Sequence, residues 1–223
     1  MTTSTHFWRV ELHCHTRASF DSLSRPEDII RACREKGIDR IAITDHNTMA
    51  GIAAVQALAP DLVIPAEEIK TEEGELIGWY MTEEIPRGLP LQETIDRLKA
   101  QGAVIGVPHP LDSLRMGSAL GRESLMKVID QVDALEALNA RCLRRGDNEE
   151  ARAIAKAHGK LMTAGSDAHT AREIGAAIVV MPPFHNAESF RQSLASARIE
   201  GRLSGGHVRF YSTWAKIYKK FGK

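Results

Sequence analysis

The sequence predicts an α/β fold of parallel strands covered by helices, closed as a barrel or left as an open sheet. Three observations predict it. Short apolar runs alternate with helix-like segments about seven times along the chain. Histidines and carboxylates recur just past the C-terminal ends of the predicted strands, the edge where parallel α/β folds build their sites. The length of 223 residues and 43% hydrophobic content suit one domain with a sizeable core.

The elements follow in order. Phe7 to His13 reads as a first strand. Ser24-Arg25-Pro26-Glu27 opens a helix, with Ser24 as cap, Glu27 three residues on and proline in the first turn. Ile29, Ile30 and Cys33 give its buried stripe, and Gly37 stops it. Arg40 to Thr44 is a buried strand, after which Asn47 or Thr48 caps a helix to about Leu58. Leu62 to Ile69 is a strand, Thr71 to Gly74 a turn, and Glu75 to Met81 a returning strand. Pro90 to Gln101 is a helix ending at Gly102. Ala103 to Val107 is a buried strand, Leu111 to Gly121 a loop and Arg122 to Asp130 a helix. Asp133 to Leu138 and Lys160 to Ala164 are strands flanking an alanine-rich helix, Asn148 to His158. Ala176 to Met181 is the last strand and Asn186 to Ala197 the last clear helix. From Gly201 the pattern weakens, and Lys216, Lys219, Lys220 and Lys223 make the end basic. The expected organisation is a barrel over residues 1–200 and a basic tail or extension over 201–223.

Lys+Arg 29 balance Asp+Glu 29, so no global field favours nucleic acid or membrane. Cys14, Cys33 and Cys142 are scattered, which suggests reduced thiols in a cytoplasmic protein. MTTSTHFWRV lacks the basic and apolar regions of a signal peptide. No apolar run reaches the roughly 18 residues of a membrane span.

His13 and His15 are two apart on the first strand, so both imidazoles leave one face, while Cys14 points to the other. Asp21, Asp45, His46, Glu68, His109, Asp167 and His169 complete a set of metal-ligand types. His6, His158, His185 and His207 lie on termini or helices and read as surface groups. Histidine with carboxylate and no recruited cysteine suits Zn²⁺, Mn²⁺ or Fe. The set exceeds what one ion needs, which implies two or three divalent ions bridged by a carboxylate. Clustered divalent ions turn bound water into hydroxide near neutral pH and clamp phosphate oxygens. The expected chemistry is hydrolysis of a phosphoester by a hydroxide held between metals.

HCHTRASFD, ITDH, the glutamate at Glu68, PHP at 108–110 and GSDAH at 165–169 resemble, in order, the motifs of the PHP (polymerase and histidinol phosphatase) domain family. The resemblance spans about residues 8–185. It implies a distorted (β/α)7 barrel with a di- or trinuclear centre and phosphoesterase activity. Carried over, it implies that His13, His15, Glu68 and Asp167 hold one metal and that Asp21, His46 and His169 hold a second. Glu68 would bridge to a third ion with His109. Asp45 orients a ligating imidazole or caps a helix. Ala66-Glu67-Glu68 aligns with the family's Gly-x-Glu through Glu68, leaving Glu67 as a solvated neighbour. Glu75 stands where many members carry a histidine, in a stretch like EIHLLG. It is either a third-metal ligand or a solvated strand residue.

Glu136 and Asn139 match the family's Glu-x-x-Asn segment. Asn139, Arg141, Arg17 and Arg115 are the candidate substrate handles, Arg141 by forking onto a phosphate. Each arginine has the alternative reading of a solvated side chain. The expected partner is a small phosphorylated substrate, such as a nucleotide, with short nucleic acid as an extension. Aromatic residues are only 5%, which argues against a stacking platform for long strands. Two rival readings remain: a catalytically silent domain with a structural or regulatory role, and a metal-dependent C–N hydrolase.

Overall fold

The computed structural model describes residues 6–115 and 117–221. Its elements are β1 (Trp8–Cys14), α1 (Pro26–Lys36), β2 (Arg40–Ile43), α2 (Ala50–Gln56), β3 (Val63–Lys70) and β4 (Glu75–Trp79). There follow α3 (Leu91–Ala100), β5 (Val104–Val107), α4 (Gly121–Val128), β6 (Ala134–Asn139) and α5 (Arg145–Ala157). The chain continues through β7 (Leu161–Gly165), β8 (Ala177–Met181), α6 (Ala187–Ala195), β9 (Arg198–Gly201) and α7 (Val208–Phe221).

The strands form one curved sheet in the order β7-β6-β5-β4-β3-β2-β1-β8-β9. Strands β1 to β3 are mutually parallel, as are β5 to β7. The returning strand β4 is antiparallel to both its neighbours, which distorts the ring. Closure comes at the C-terminal ends. His15 N donates to Ala168 O at 2.9 Å, and Ala168 N donates to His13 O at 3.2 Å. The result is the distorted α/β barrel. Strands β8 and β9 continue the sheet beyond β1, antiparallel, which simple alternation does not reveal.

Inside the sheet lies an apolar core of Val10, Leu12, Ile64, Ile77, Trp79 and Val104. The Trp79 indole donates to Leu12 O at 3.1 Å, so its polar edge is satisfied beneath the site. Cys14 points outward into the layer under α1, with Ile29, Ile30 and Cys33. All three cysteines are buried and free.

Several starts differ from the sequence reading. Helix α1 begins at Pro26 with Arg25 at the cap position, because Ser24 Oγ is turned to His169 O at 3.1 Å. Helix α2 begins only at Ala50, and the Asn47 side chain accepts from Lys70 N instead. Helix α5 starts three residues early, and Asn148 pins the exit of β6 through Asn139 N and O, at 3.0 and 3.1 Å. Residues 208–221 form a helix within the segment expected to be a basic tail or extension. It buries only the small or short Val208, Ser212 and Ala215. Phe210, Trp214, Ile217 and Phe221 face solvent, so its apolar pattern does not mark a core face. No helix among the described residues is long and apolar enough to cross a membrane.

Candidate metal centre

The C-terminal ends of the strands bring the predicted residues to one place. His13 is the penultimate residue of β1 and His15 follows the strand; Asp45 and His46 follow β2; Glu68 faces inward near the end of β3, and Glu75 from the start of the antiparallel β4. His109 follows β5, and Asp167 and His169 follow β7. Asp21 is returned to the rim by the first loop. Every one of these residues except His46 is buried, and the His46 side chain is only 11% exposed. His6, His158, His185 and His207 are exposed and distant from the cluster's contacts.

Four atoms mark the centre. His13 Nε2, His15 Nε2, Glu68 Oε2 and Asp167 Oδ1 are buried without a hydrogen-bond partner among the described residues. Glu68 Oε2 lies 3.3 Å from His13 Nε2 and 3.4 Å from His15 Nε2. Asp167 Oδ1 lies 3.7 and 3.4 Å from the same two nitrogens. Donors held about 2.1 Å from a shared tetrahedral ion stand roughly 3.4 Å from one another. Orphaned buried donors are costly unless something pairs them, and a divalent ion fits this set.

Glu68 divides its two oxygens. Oε2 meets His13, His15 and His46 Nδ1, the last at 3.1 Å, while Oε1 meets His109 Nε2 at 3.0 Å. A carboxylate so placed can bridge ions. Beyond it, Asp21 Oδ2 lies 3.1 Å from His169 Nε2 and 3.5 Å from His46 Nε2. On the other side Glu75 Oε2 lies 3.7 Å from His109 Nε2. Glu75 is 6% exposed and is thus no solvated strand residue. Glu67 leaves the opposite face of β3 and accepts from Ile85 N at 3.1 Å. It is buried, not solvated, and burial pushes its carboxyl up to about 8.

A further layer fixes the rings. Ser19 Oγ donates its one proton to Asp45 Oδ1 at 2.9 Å, so it accepts from His15 Nδ1 at 3.2 Å and from His46 N at 2.9 Å. That assigns the His15 proton to Nδ1 and leaves the Nε2 lone pair for the centre. Asp45 also accepts from Thr16 N and Oγ1, both at 2.7 Å. It therefore orients an imidazole through Ser19 and does not cap a helix. Burial, with His169 and His46 beside it, lowers His15 to about 3, so this ring stays neutral. Burial alone would raise the Asp167 carboxyl, but Arg115 and then His13 hold it well below its ordinary value. Arg115 pairs with Asp167 Oδ2, which also accepts from Asn139 Nδ2 at 3.3 Å, and Oδ1 is left to the centre.

Two proposed handles are otherwise employed. The Arg141 guanidinium is buried, with Nη2 donating to Val208 O at 3.1 Å and Ser212 Oγ at 2.9 Å. Its Nη1 meets His169 Nδ1, and Nε lies 3.6 Å from Glu173 Oε2. It clamps α7 to the site and has no fork free for a phosphate. Asn139 spends both amide protons on Glu136 and Asp167. Arg115 stays at the mouth with its side chain 17% exposed, and Arg17 is exposed in the first loop.

Sequence reasoning missed Glu11, Ser19 and Lys216. Glu11 accepts from Ser166 N at 2.9 Å, Gly175 N at 3.0 Å and His13 N at 3.2 Å, tying β1 to the loop after β7. The partners that give Glu11 and Ser19 their roles, Ser166 and Gly175 for the first and Asp45 for the second, are remote in the chain and leave no local signal. Lys216 Nζ lies 3.7 Å from Asp21 Oδ2. Three- and four-residue spacing of apolar residues over 210–221 was a readable sign of the helix that carries it.

Residues 11–77 match the family model of the PHP domain, and residues 145–199 match the PHP-associated model. The uncharacterized protein MJ0417 of Methanocaldococcus jannaschii is 36% identical over 176 residues, which cover 77% of this chain and 69% of that one. A 5'-3' exoribonuclease of Haemophilus influenzae is 26% identical over 122 residues, covering 48% of this chain and 44% of that one. Among solved structures, a candidate metal-dependent phosphoesterase from Bifidobacterium adolescentis aligns with a TM-score of 0.64 at 18% identity. That match covers 83% of this chain and 95% of the other, and it is a likeness of fold. With the motifs, the barrel and the ligand cluster in agreement, the chain belongs to the PHP domain family.

Proposed function

We propose that this protein is a metal-dependent phosphoesterase acting on a small phosphomonoester, a nucleotide or a short oligonucleotide. The observation that carries the reading is the set of four unpartnered buried donors, His13 Nε2, His15 Nε2, Glu68 Oε2 and Asp167 Oδ1. Asp21, His46 and His169 would hold a second ion, and Glu75 and His109, with Glu68, a third. Two or three ions of Zn, Mn or Fe suit these nitrogen and oxygen donors. When bound, they would supply Lewis-acid stabilisation of a phosphoryl group and lower the pKa of water.

The chain's own groups have separate tasks. Glu136 and the Asp45–Ser19 pair hold imidazole protons on Nδ1, so that Nε2 faces the centre. Glu68 spans the donor groups. Arg115, partly open at the mouth, holds Asp167 in place and presents positive charge toward an entering phosphate. The Haemophilus relative is named a 5'-3' exoribonuclease, which supports an oligoribonucleotide among these substrates. The buried free thiols fit a reducing, cytoplasmic setting.

The test is a phosphate-release screen with Mn²⁺ supplied. It would take mono- and dinucleotides, 3′,5′-bisphosphates and sugar phosphates. Metal-dependent release from one class supports the reading and selects the substrate. Tight metal binding with no turnover on any phosphoester points instead to a regulatory domain or to C–N hydrolysis.

A further inference from the structure

The Arg141 guanidinium is spent on His169, Val208 and Ser212, and helix α7 brings a different cation, Lys216, beside Asp21. Helix α7 crosses the rim and is fixed at both ends. Near its start Arg141 binds Val208 O and Ser212 Oγ, and Arg209 donates to Asp112 Oδ2 at 3.1 Å. Near its end Lys219 Nζ donates to Arg17 O at 2.6 Å and also to Ser19 O. Ser19 is the same residue that orients His15. The rotation of the helix is therefore set, and Lys216, one turn before Lys219, faces the site.

Lys216 Nζ lies 3.7 Å from Asp21 Oδ2 and 5.0 Å from the centroid of the Phe20 ring. It makes no hydrogen bond among the described residues, whereas Lys219, Arg209, Arg115 and Arg141 all have theirs engaged. Its side chain is 50% exposed. At 3.7 Å, with the lysine half exposed, this ion pair leaves the ammonium loosely held. An ammonium with its three donors unspent, beside a carboxylate that itself faces His46 and His169, is placed for an anion arriving from solvent. We propose that Lys216 is a phosphate-binding residue of this centre, delivered to the mouth by α7. The assignment rests on the phosphoesterase reading. It adds a residue from a segment outside the motifs that identify the family.

The test uses the full chain loaded with Mn²⁺ and inorganic phosphate as probe, followed by calorimetry. Lys216→Met should weaken phosphate binding about tenfold, the scale of one lost charge-assisted contact. Lys216→Arg should recover most of it. Lys220→Met, exposed on the same helix, should bind phosphate as the parent protein does. Mn²⁺ affinity should be equal in all four proteins. With an active substrate, Lys216→Met should raise KM more than it lowers kcat. Unchanged phosphate binding in Lys216→Met, in a parent protein that binds phosphate, overturns the assignment. So does a parallel loss of Mn²⁺ affinity, which would make Lys216 a support for Asp21. A Mn²⁺-loaded parent that binds no phosphate overturns the phosphoesterase reading and this assignment with it.

Discussion

Glu136 Oε1 accepts from His13 Nδ1 at 3.1 Å, while Glu136 Oε2 accepts from His109 N at 2.7 Å. One carboxylate on β6 thus fixes the ring of one candidate ligand and the backbone of another. Partners of this kind set tautomer and raise ligand basicity, and losing them typically costs 10–100-fold in metal affinity. Glu136→Ala should show a loss on about that scale in a Mn²⁺ titration, with the barrel's circular dichroism retained. Unchanged affinity would mean that His13 is not a ligand.

Asp45 should matter more for order than for charge. Its oxygens hold Thr16 N, Thr16 Oγ1 and Ser19 Oγ. Gly51 is part of this arrangement: a Cβ there would stand 2.0 Å from Asp45 Oδ2 and 2.4 Å from Thr16 Oγ1. Asp45→Ala leaves buried donors unmet, at about 1–3 kcal/mol. Urea denaturation of the metal-free protein should show that loss, and it should be present with chelator added throughout.

Gly165 permits a second close approach. A Cβ on it would lie 2.3 Å from His13 Cβ and 2.6 Å from Glu136 Oε1. Gly165→Ala must push His13 or Glu136 aside, and overpacking of this sort costs about 1–3 kcal/mol. Thermal unfolding should report a lowered Tm, and metal uptake should fall with it. A variant with parental Tm and metal content would show that the strand yields without moving the ring.

Removing metal should destabilise the fold. Asp21, Glu68, Glu75 and Asp167 converge on one buried region. An ion bound only by the native state adds about 2.7 kcal/mol at a hundredfold excess over its Kd. Chelator should therefore lower Tm, and Mn²⁺ should restore it in a concentration-dependent way. A Tm indifferent to both would argue against ions at this cluster.

The alternation of short apolar runs and helices was enough to expect parallel strands covered by helices, because buried parallel strands write themselves as continuous apolar stretches, while the choice of a barrel over an open sheet came from the motifs' resemblance to the PHP family. The ligand types at strand ends were legible for the same reason: each sits next to a strand that the apolar run locates. The roles of Arg141 and Asn139 were not. Apart from Glu136, three residues before Asn139, their donors are consumed by Val208, Ser212 and Asp167, partners up to 71 residues away that no local pattern reveals. Glu67 and Glu68 show the limit in miniature. They are adjacent and chemically identical, and only the strand's alternation sends one into the histidine cluster and the other to Ile85 N. The spacing of Phe210, Trp214, Ile217 and Phe221 marks helix α7 in the sequence, but this stripe faces solvent, so the pattern does not tell which side of the helix meets the barrel.

The central claim is that Glu68 bridges ions within one buried cluster. The most direct measurement is metal content by elemental analysis, after reconstitution with Mn²⁺ and removal of free ion, for the parent chain and Glu68→Gln. Two or more ions per chain in the parent, falling by at least one in Glu68→Gln, is the expected result. Less than one ion per chain in the parent, or an undiminished count in Glu68→Gln, would contradict it.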